Sequence, residues 1–134
     1  MSLFEVVDLR EAAGVDASFV EGVLTYAVPV RGAEAQGLRD ELVFVIDVRE
    51  PREWRRSHVP GSRCIPLDVL GLEHPPVDTL VLLVCETGFR SRRAAQLLTA
   101  LGADDSSLFV LSGGLRAWGA AGYPLARGGR RRAR

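Results

Sequence analysis

Cys85 stands at the junction of an apolar strand and a helix, and no other residue is better placed to do chemistry. Thr79-Leu80-Val81-Leu82-Leu83-Val84 is too short to span a bilayer and reads as a strand buried on both faces. It runs into the polar turn Cys85-Glu86-Thr87-Gly88-Phe89-Arg90-Ser91. Beyond the turn, Ser91 to Gly102 sets Ala94, Ala95, Leu97, Leu98 and Leu101 at helical spacing and stops on a glycine. Cys85 is therefore expected at a helix mouth, where unpaired backbone N–H groups and the helix dipole favour an anion and bias a thiol toward thiolate. Gly88 can adopt a left-handed conformation and has no side chain to fill the concavity, so the N–H groups from Glu86 to Ser91 are expected to form an anion-binding nest. Arg90 adds a permanent charge and a planar fork of donors suited to an oxyanion.

Positioning such a turn needs a scaffold of strands ending on one edge. Val43-Phe44-Val45-Ile46 is a second continuous apolar strand, and it too finishes in polar residues, Asp47-Val48-Arg49-Glu50-Pro51. In an open parallel sheet both ends lie along the carboxyl edge, where such folds place a binding crevice. Ser107 to Leu111 is another buried-type strand, and Ser112-Gly113-Gly114 opens a helix that buries Leu115 and Trp118. Short helices are expected over Arg52–Ser57, with Trp54 inward, and over Ala33–Leu42. Arg63–Ile65 reads as a short strand before a helical turn at Leu67–Leu70, and Tyr26–Val30 as an edge strand on account of Pro29. The pattern implies one three-layer α/β domain, with a mostly parallel sheet of about five strands and helices on both faces. Residues 1–24 are expected to form a mainly helical extension, 25–126 the domain, and 127–134 a disordered Arg-rich tail.

Composition narrows the function. The 134 residues fit one domain, and seventeen basic residues, all arginine, balance seventeen acidic ones. No global field argues for nucleic acid or a membrane surface. The all-arginine usage reads as compositional bias. No stretch is apolar enough for a membrane helix, and the start lacks the basic region of a signal peptide. Two cysteines make no disulfide framework, so a reducing cytoplasm is the expected location. Two histidines and two cysteines, scattered along the chain, make no credible zinc site.

Four motifs, in order, resemble one family. Asp47-Val48-Arg49-Glu50, His58-Val59-Pro60-Gly61-Ser62, Cys85-x-x-Gly88-x-Arg90-Ser91 and Leu111-Ser112-Gly113-Gly114-x-x-Ala117-Trp118 are similar to those of the single-domain rhodanese-like sulfurtransferases, over about Tyr26 to Pro124. The resemblance implies Cys85 as the nucleophile and Glu86, Thr87, Gly88, Phe89, Arg90 and Ser91 as the substrate-binding loop. Asp47, Arg49 and His58 would support it structurally. It further implies sulfane-sulfur transfer through a Cys85 persulfide, from thiosulfate or a persulfide donor to a thiol, a sulfur-carrier protein or another nucleophile, with no metal or organic cofactor. Phosphatases and arsenate reductases of the same fold close a wider ring, Cys-x5-Arg, whereas this chain has Cys-x4-Arg. The alternative of another class is a non-catalytic rhodanese-like module that carries sulfur, senses oxidants or docks a partner.

Several residues carry a plainer reading beside the functional one. Cys64 is most simply a small core residue rather than a resolving thiol. Gly113, Gly114 and Trp118 read as a tight helix entrance and a core aromatic, and the arginine run as a solvated tail rather than a contact for tRNA or an acidic carrier. Glu86 is the discordant element. A carboxylate beside the thiolate opposes its ionisation and repels thiosulfate unless it faces solvent or pairs with a neighbour such as Arg92 or Arg93, and this favours a protein-bound persulfide or another thiol as the natural donor.

Overall fold

Continuous apolar runs form the middle of the sheet. The computed structural model describes residues 5–7, 16–20, 23–27, 42–74, 80–104 and 107–129. Its strands are β1 (Glu5–Val7), β2 (Asp16–Val20), β3 (Val23–Ala27), β4 (Leu42–Asp47), β5 (Arg63–Cys64), β6 (Val81–Val84) and β7 (Leu108–Leu111). The helices are α1 (Pro51–Arg56), α2 (Phe89–Ala100) and α3 (Gly114–Ala120), with a 3-10 turn at Leu67–Val69. The strand order is β1-β7-β6-β4-β3-β2, with β5 also paired to β4. Pairing is parallel from β1 through β7 and β6 to β4 and between β4 and β5, and antiparallel from β4 to β3 and β3 to β2.

Side chains alternate across this sheet, so each strand feeds two cores. On one face Val45, Leu82, Val84, Phe109 and Leu111 pack with Leu115 and Trp118 of α3. On the other, Ile46, Leu83, Leu108 and Val110 pack with Ala94, Ala95 and Leu98 of α2. The alanines let α2 lie close to the sheet. Helices therefore cover both faces, as the apolar runs of the strands require. In the register Asp47 lies opposite Val84, so the end of β4 and the Cys85 turn share the carboxyl edge.

The beginning of the chain departs from expectation. Where 1–24 is expected to be mainly helical, every described residue before Ala27 is in a strand. Val6-Val7 and the runs ending Phe19-Val20 and starting Val23 are β-branched or aromatic, and the register Val20↔Val23 pairs β2 with β3 antiparallel. Among the described residues the sheet consequently has seven strands rather than about five. β3 is not the expected edge, because β2 pairs outside it. Pro29 and the helix expected over 33–41 lie outside the described residues, and Leu42 already belongs to β4.

The tail boundary shifts as well. Ala126 exchanges backbone hydrogen bonds with His58 at 2.9 and 2.8 Å, and the Gly128 N–H donates to the Arg55 carbonyl at 2.6 Å. Ala126 and Gly128 are thus tied to α1 and the residues just past it, and 130–134 of the expected disordered tail lie outside the described residues.

Trp118 is fully buried, stacks at a tilt on Tyr123 with centroids 4.8 Å apart, and donates its indole N–H to the Pro124 carbonyl at 2.8 Å. Trp118→Ala should cost about 3–5 kcal/mol, the scale of a large aromatic removed from a packed core, read as a lowered denaturation midpoint at unchanged slope.

Candidate functional site

Cys85 closes β6, and the chain turns through Gly88, at φ 104°, into α2. A left-handed residue is tolerated there because it is glycine. As the helix N-cap, Gly88 has no side chain to satisfy the first N–H groups of α2, and two donors turn to the sulfur instead. The Gly88 N–H lies 3.0 Å and the Ser91 N–H 3.4 Å from Cys85 Sγ. Ser91 Oγ is 3.6 Å from Sγ and donates to the Gly88 carbonyl at 3.0 Å. The sulfur is only 1% exposed as a residue, so these donors act where solvent competes least.

The second glycine motif meets this loop from behind. The Leu115 N–H donates to the Cys85 carbonyl at 2.8 Å and the Arg116 N–H to the Glu86 carbonyl at 3.3 Å. A Cβ on Gly114 would fall on those same two carbonyls. The tight helix entrance expected at Gly113-Gly114 is therefore also a brace for the Cys85 loop, a role that becomes visible only when two segments roughly thirty residues apart meet.

A ring of ion pairs surrounds the loop. Asp47 is fully buried and receives Arg49 through Nε at 3.0 Å and Nη2 at 2.8 Å. Arg49 also donates to the Ser57 carbonyl at 2.6 Å and to Glu86 at 3.3 Å. Burial opposes the Arg49 charge, but the hydrogen bonds and charge of Asp47 outweigh it and hold the guanidinium pKa above its ordinary value. Glu86 is paired with Arg49 and Arg116, each at 3.3 Å, rather than with Arg92 or Arg93.

Arg90 differs most from expectation. It is locked to Glu53 of α1 through two parallel contacts of 2.7 and 2.9 Å. Glu53 also accepts the Glu50 N–H at 3.1 Å in a capping box, and that spacing, with acids three apart at a helix start, is the one local sign of its importance. Glu53 raises the Arg90 pKa chiefly by hydrogen bonding, and a Cys85 thiolate contributes less, so Arg90 lies within electrical reach of the sulfur but answers first to Glu53. Arg90 in turn lowers the Glu53 pKa from 4.5 to about 2.

The remaining expected residues sit around this frame. Thr87 and Phe89 are exposed, and Phe89 is 69% so. His58 is buried, with Nδ1 2.6 Å from the Trp54 carbonyl and its ring stacked on Trp54 at 3.8 Å, and the Trp54 indole donates to Ser62 at 3.0 Å. These contacts shape the turn after α1. Cys64 is buried and points its thiol at the Arg49 carbonyl, 3.5 Å away.

A carboxylate whose pKa is depressed by folding stabilises the native state above its unfolded pKa and loses that contribution as pH falls through the folded one. Between pH 4.5 and about 2 the wild-type chain should therefore lose stability more steeply than Glu53→Gln, as chemical denaturation across that window would show.

Comparison with known proteins follows the same lines. The rhodanese-like domain model matches residues 32–121. The chain is 40% identical over 77 residues to the uncharacterized protein YqhL of Bacillus subtilis, covering 56% of this chain and 60% of that one. It is 36% identical over 123 residues to the probable adenylyltransferase/sulfurtransferase MoeZ of Mycobacterium tuberculosis, covering 85% of this chain but 30% of that protein. It thus spans less than two thirds of either relative. A crystal structure of thiosulfate sulfurtransferase from Pseudomonas aeruginosa superposes with a TM-score of 0.58 at 31% identity, over 64% of this chain and 17% of that one. With a match running from before β4 to the end of α3, around a cysteine cradled by its own helix, the chain belongs to the rhodanese-like domain family.

Proposed function

We propose that this protein is a sulfurtransferase that carries sulfane sulfur on Cys85. The observation that supports this reading most directly is the pair of backbone N–H groups, from Gly88 and Ser91, converging on a buried sulfur at the mouth of α2. Such donors stabilise a sulfur anion without a metal or a general base. The relatives' sulfurtransferase names and the family membership point the same way.

The reaction is a double displacement. The Cys85 thiolate attacks the outer sulfur of thiosulfate or of an organic persulfide. A new S–S bond forms as the donor's own bond to that sulfur breaks, and the electron pair leaves with sulfite or a thiolate. An acceptor thiolate, free or on a sulfur-carrier protein, then attacks the outer sulfur of the Cys85 persulfide and releases the original Cys85 thiolate. Gly88 and Ser91 N–H groups would hold the charged sulfur at both stages, and Ser91 Oγ, 3.6 Å from it, would join them by turning its one proton from the Gly88 carbonyl to the sulfur. Asp47, Arg49 and His58 act as structural supports in this scheme. The chemistry suits a reducing cytoplasm, and neither Cys64 nor Cys85 forms a disulfide.

The burial of Cys85 favours one rival, a module that stores sulfur or senses oxidants without turnover. Incubation with thiosulfate or an organic persulfide should add about 32 Da, one sulfur, to Cys85, and an added thiol should discharge it; Cys85→Ser should gain nothing, since a hydroxyl is a poor nucleophile for this step. Loading without discharge to any thiol would favour the storage module, and no loading from any donor would sink both sulfur-carrying readings.

A further inference from the structure

We propose that Glu53 is the residue that sets donor choice, by neutralising Arg90 so that the site takes an uncharged or singly charged organic persulfide in preference to dianionic thiosulfate. The inference rests on the sulfur-transfer reading above and adds to it a selectivity residue on a different element. Arg90 is the loop's own cation, and both of its terminal nitrogens are engaged by the two Glu53 oxygens. A bidentate guanidinium–carboxylate pair of this kind is among the stronger side-chain contacts and leaves little of the fork to grip an incoming oxyanion. Two other guanidiniums beside the loop are paired as well, Arg49 to Asp47 and Glu86, Arg116 to Glu86. Three carboxylates thus meet three guanidiniums, and no surplus positive charge is built into this ring.

The neighbouring cleft adds no positive charge to this. A hollow of about 540 Å³ beside Arg90 has Val48, Leu67 and Leu97 as apolar walls. With Arg90 already matched by Glu53, its rim sets Glu50 and Asp68 against Arg93. Apolar walls offer contact area to the organic group of R–S–SH, which thiosulfate lacks, while a rim with no surplus positive charge gives no net pull on a dianion. The transfer balances as before: the persulfide's outer sulfur passes to Cys85, its S–S bond breaks, and RS⁻ leaves with the electron pair.

Glu53→Gln keeps the side-chain length but replaces one acceptor oxygen with an amide NH2 that faces the Arg90 donors, so the pair opens and the charge is freed. Initial rates of Cys85 loading from cysteine persulfide and from thiosulfate, measured at matched ionic strength, report the result. The thiosulfate-to-persulfide ratio of kcat/KM should rise about tenfold in Glu53→Gln, the scale of one charge-assisted contact, and the gain should shrink with added salt. A ratio that stays constant or falls while Cys85 still loads would overturn the proposal and leave Glu53 a purely structural partner. Absence of loading from either donor in the wild type would instead refute the sulfur-transfer reading. The charge claim has a separate readout: the ratio of Cys85 alkylation rates with anionic iodoacetate and neutral iodoacetamide should be higher in Glu53→Gln than in the wild type, since the backbone nest is common to both. An unchanged ratio would mean that Glu53 does not mask Arg90 and would overturn the inference.

Discussion

Arg49 is the point through which three separate pieces of chain are held to one another. Its guanidinium reaches back to Asp47 at the end of β4, across to the Ser57 carbonyl just past α1, and over to Glu86 in the Cys85 loop. Arg49 is 3% exposed and Asp47 fully buried, so neither can turn to water if the geometry drifts. Breaking such a pair by losing one partner costs about 3–5 kcal/mol, far more than the pair itself contributes net. The arrangement is accordingly a device for specificity of position. α1 cannot move relative to the loop without stranding a buried charge, and α1 carries Glu53, the partner of Arg90.

The same constraint explains which parts of the site could be read from sequence. The Cys85 turn was legible because its chemistry is local: Cys85, Gly88 and Ser91 lie within seven consecutive residues, and a helix start directs their N–H groups by its own geometry. The central strands were legible because burial on both faces leaves an uninterrupted apolar run. Contacts between segments were not. Glu53 and Arg90 are 37 residues apart, and nothing in either neighbourhood announces the other. Arg90 looked like an open anion ligand because sequence shows a charge but not its counter-charge. Glu86 looked discordant for the mirror reason, since Arg49 and Arg116 were not visible as its partners.

The departures from the expected α/β pattern lie toward the ends of the chain. Short segments such as Glu5–Val7 have too few residues for periodicity to separate strand from helix, and their state is decided by an available sheet edge. The glycines at 128 and 129 suggest disorder by composition, yet the backbone of Gly128 is held by Arg55 and that of Ala126 just before it by His58, outside any side-chain pattern.

The outermost strands have a consequence for how the molecule is made. The ends of the strand order are β1 and β2, so both come from the first twenty residues, and β1 pairs Glu5 with Phe109 near the far end of the chain. During synthesis β1 leaves the ribosome long before β7, its partner, exists. The β3–β2 pair can form early from local contacts, but the opposite margin of the sheet stays open until β7 has been made. Over that interval the stretch holding β1 must wait for its partner, and the closure of that margin joins segments about a hundred residues apart.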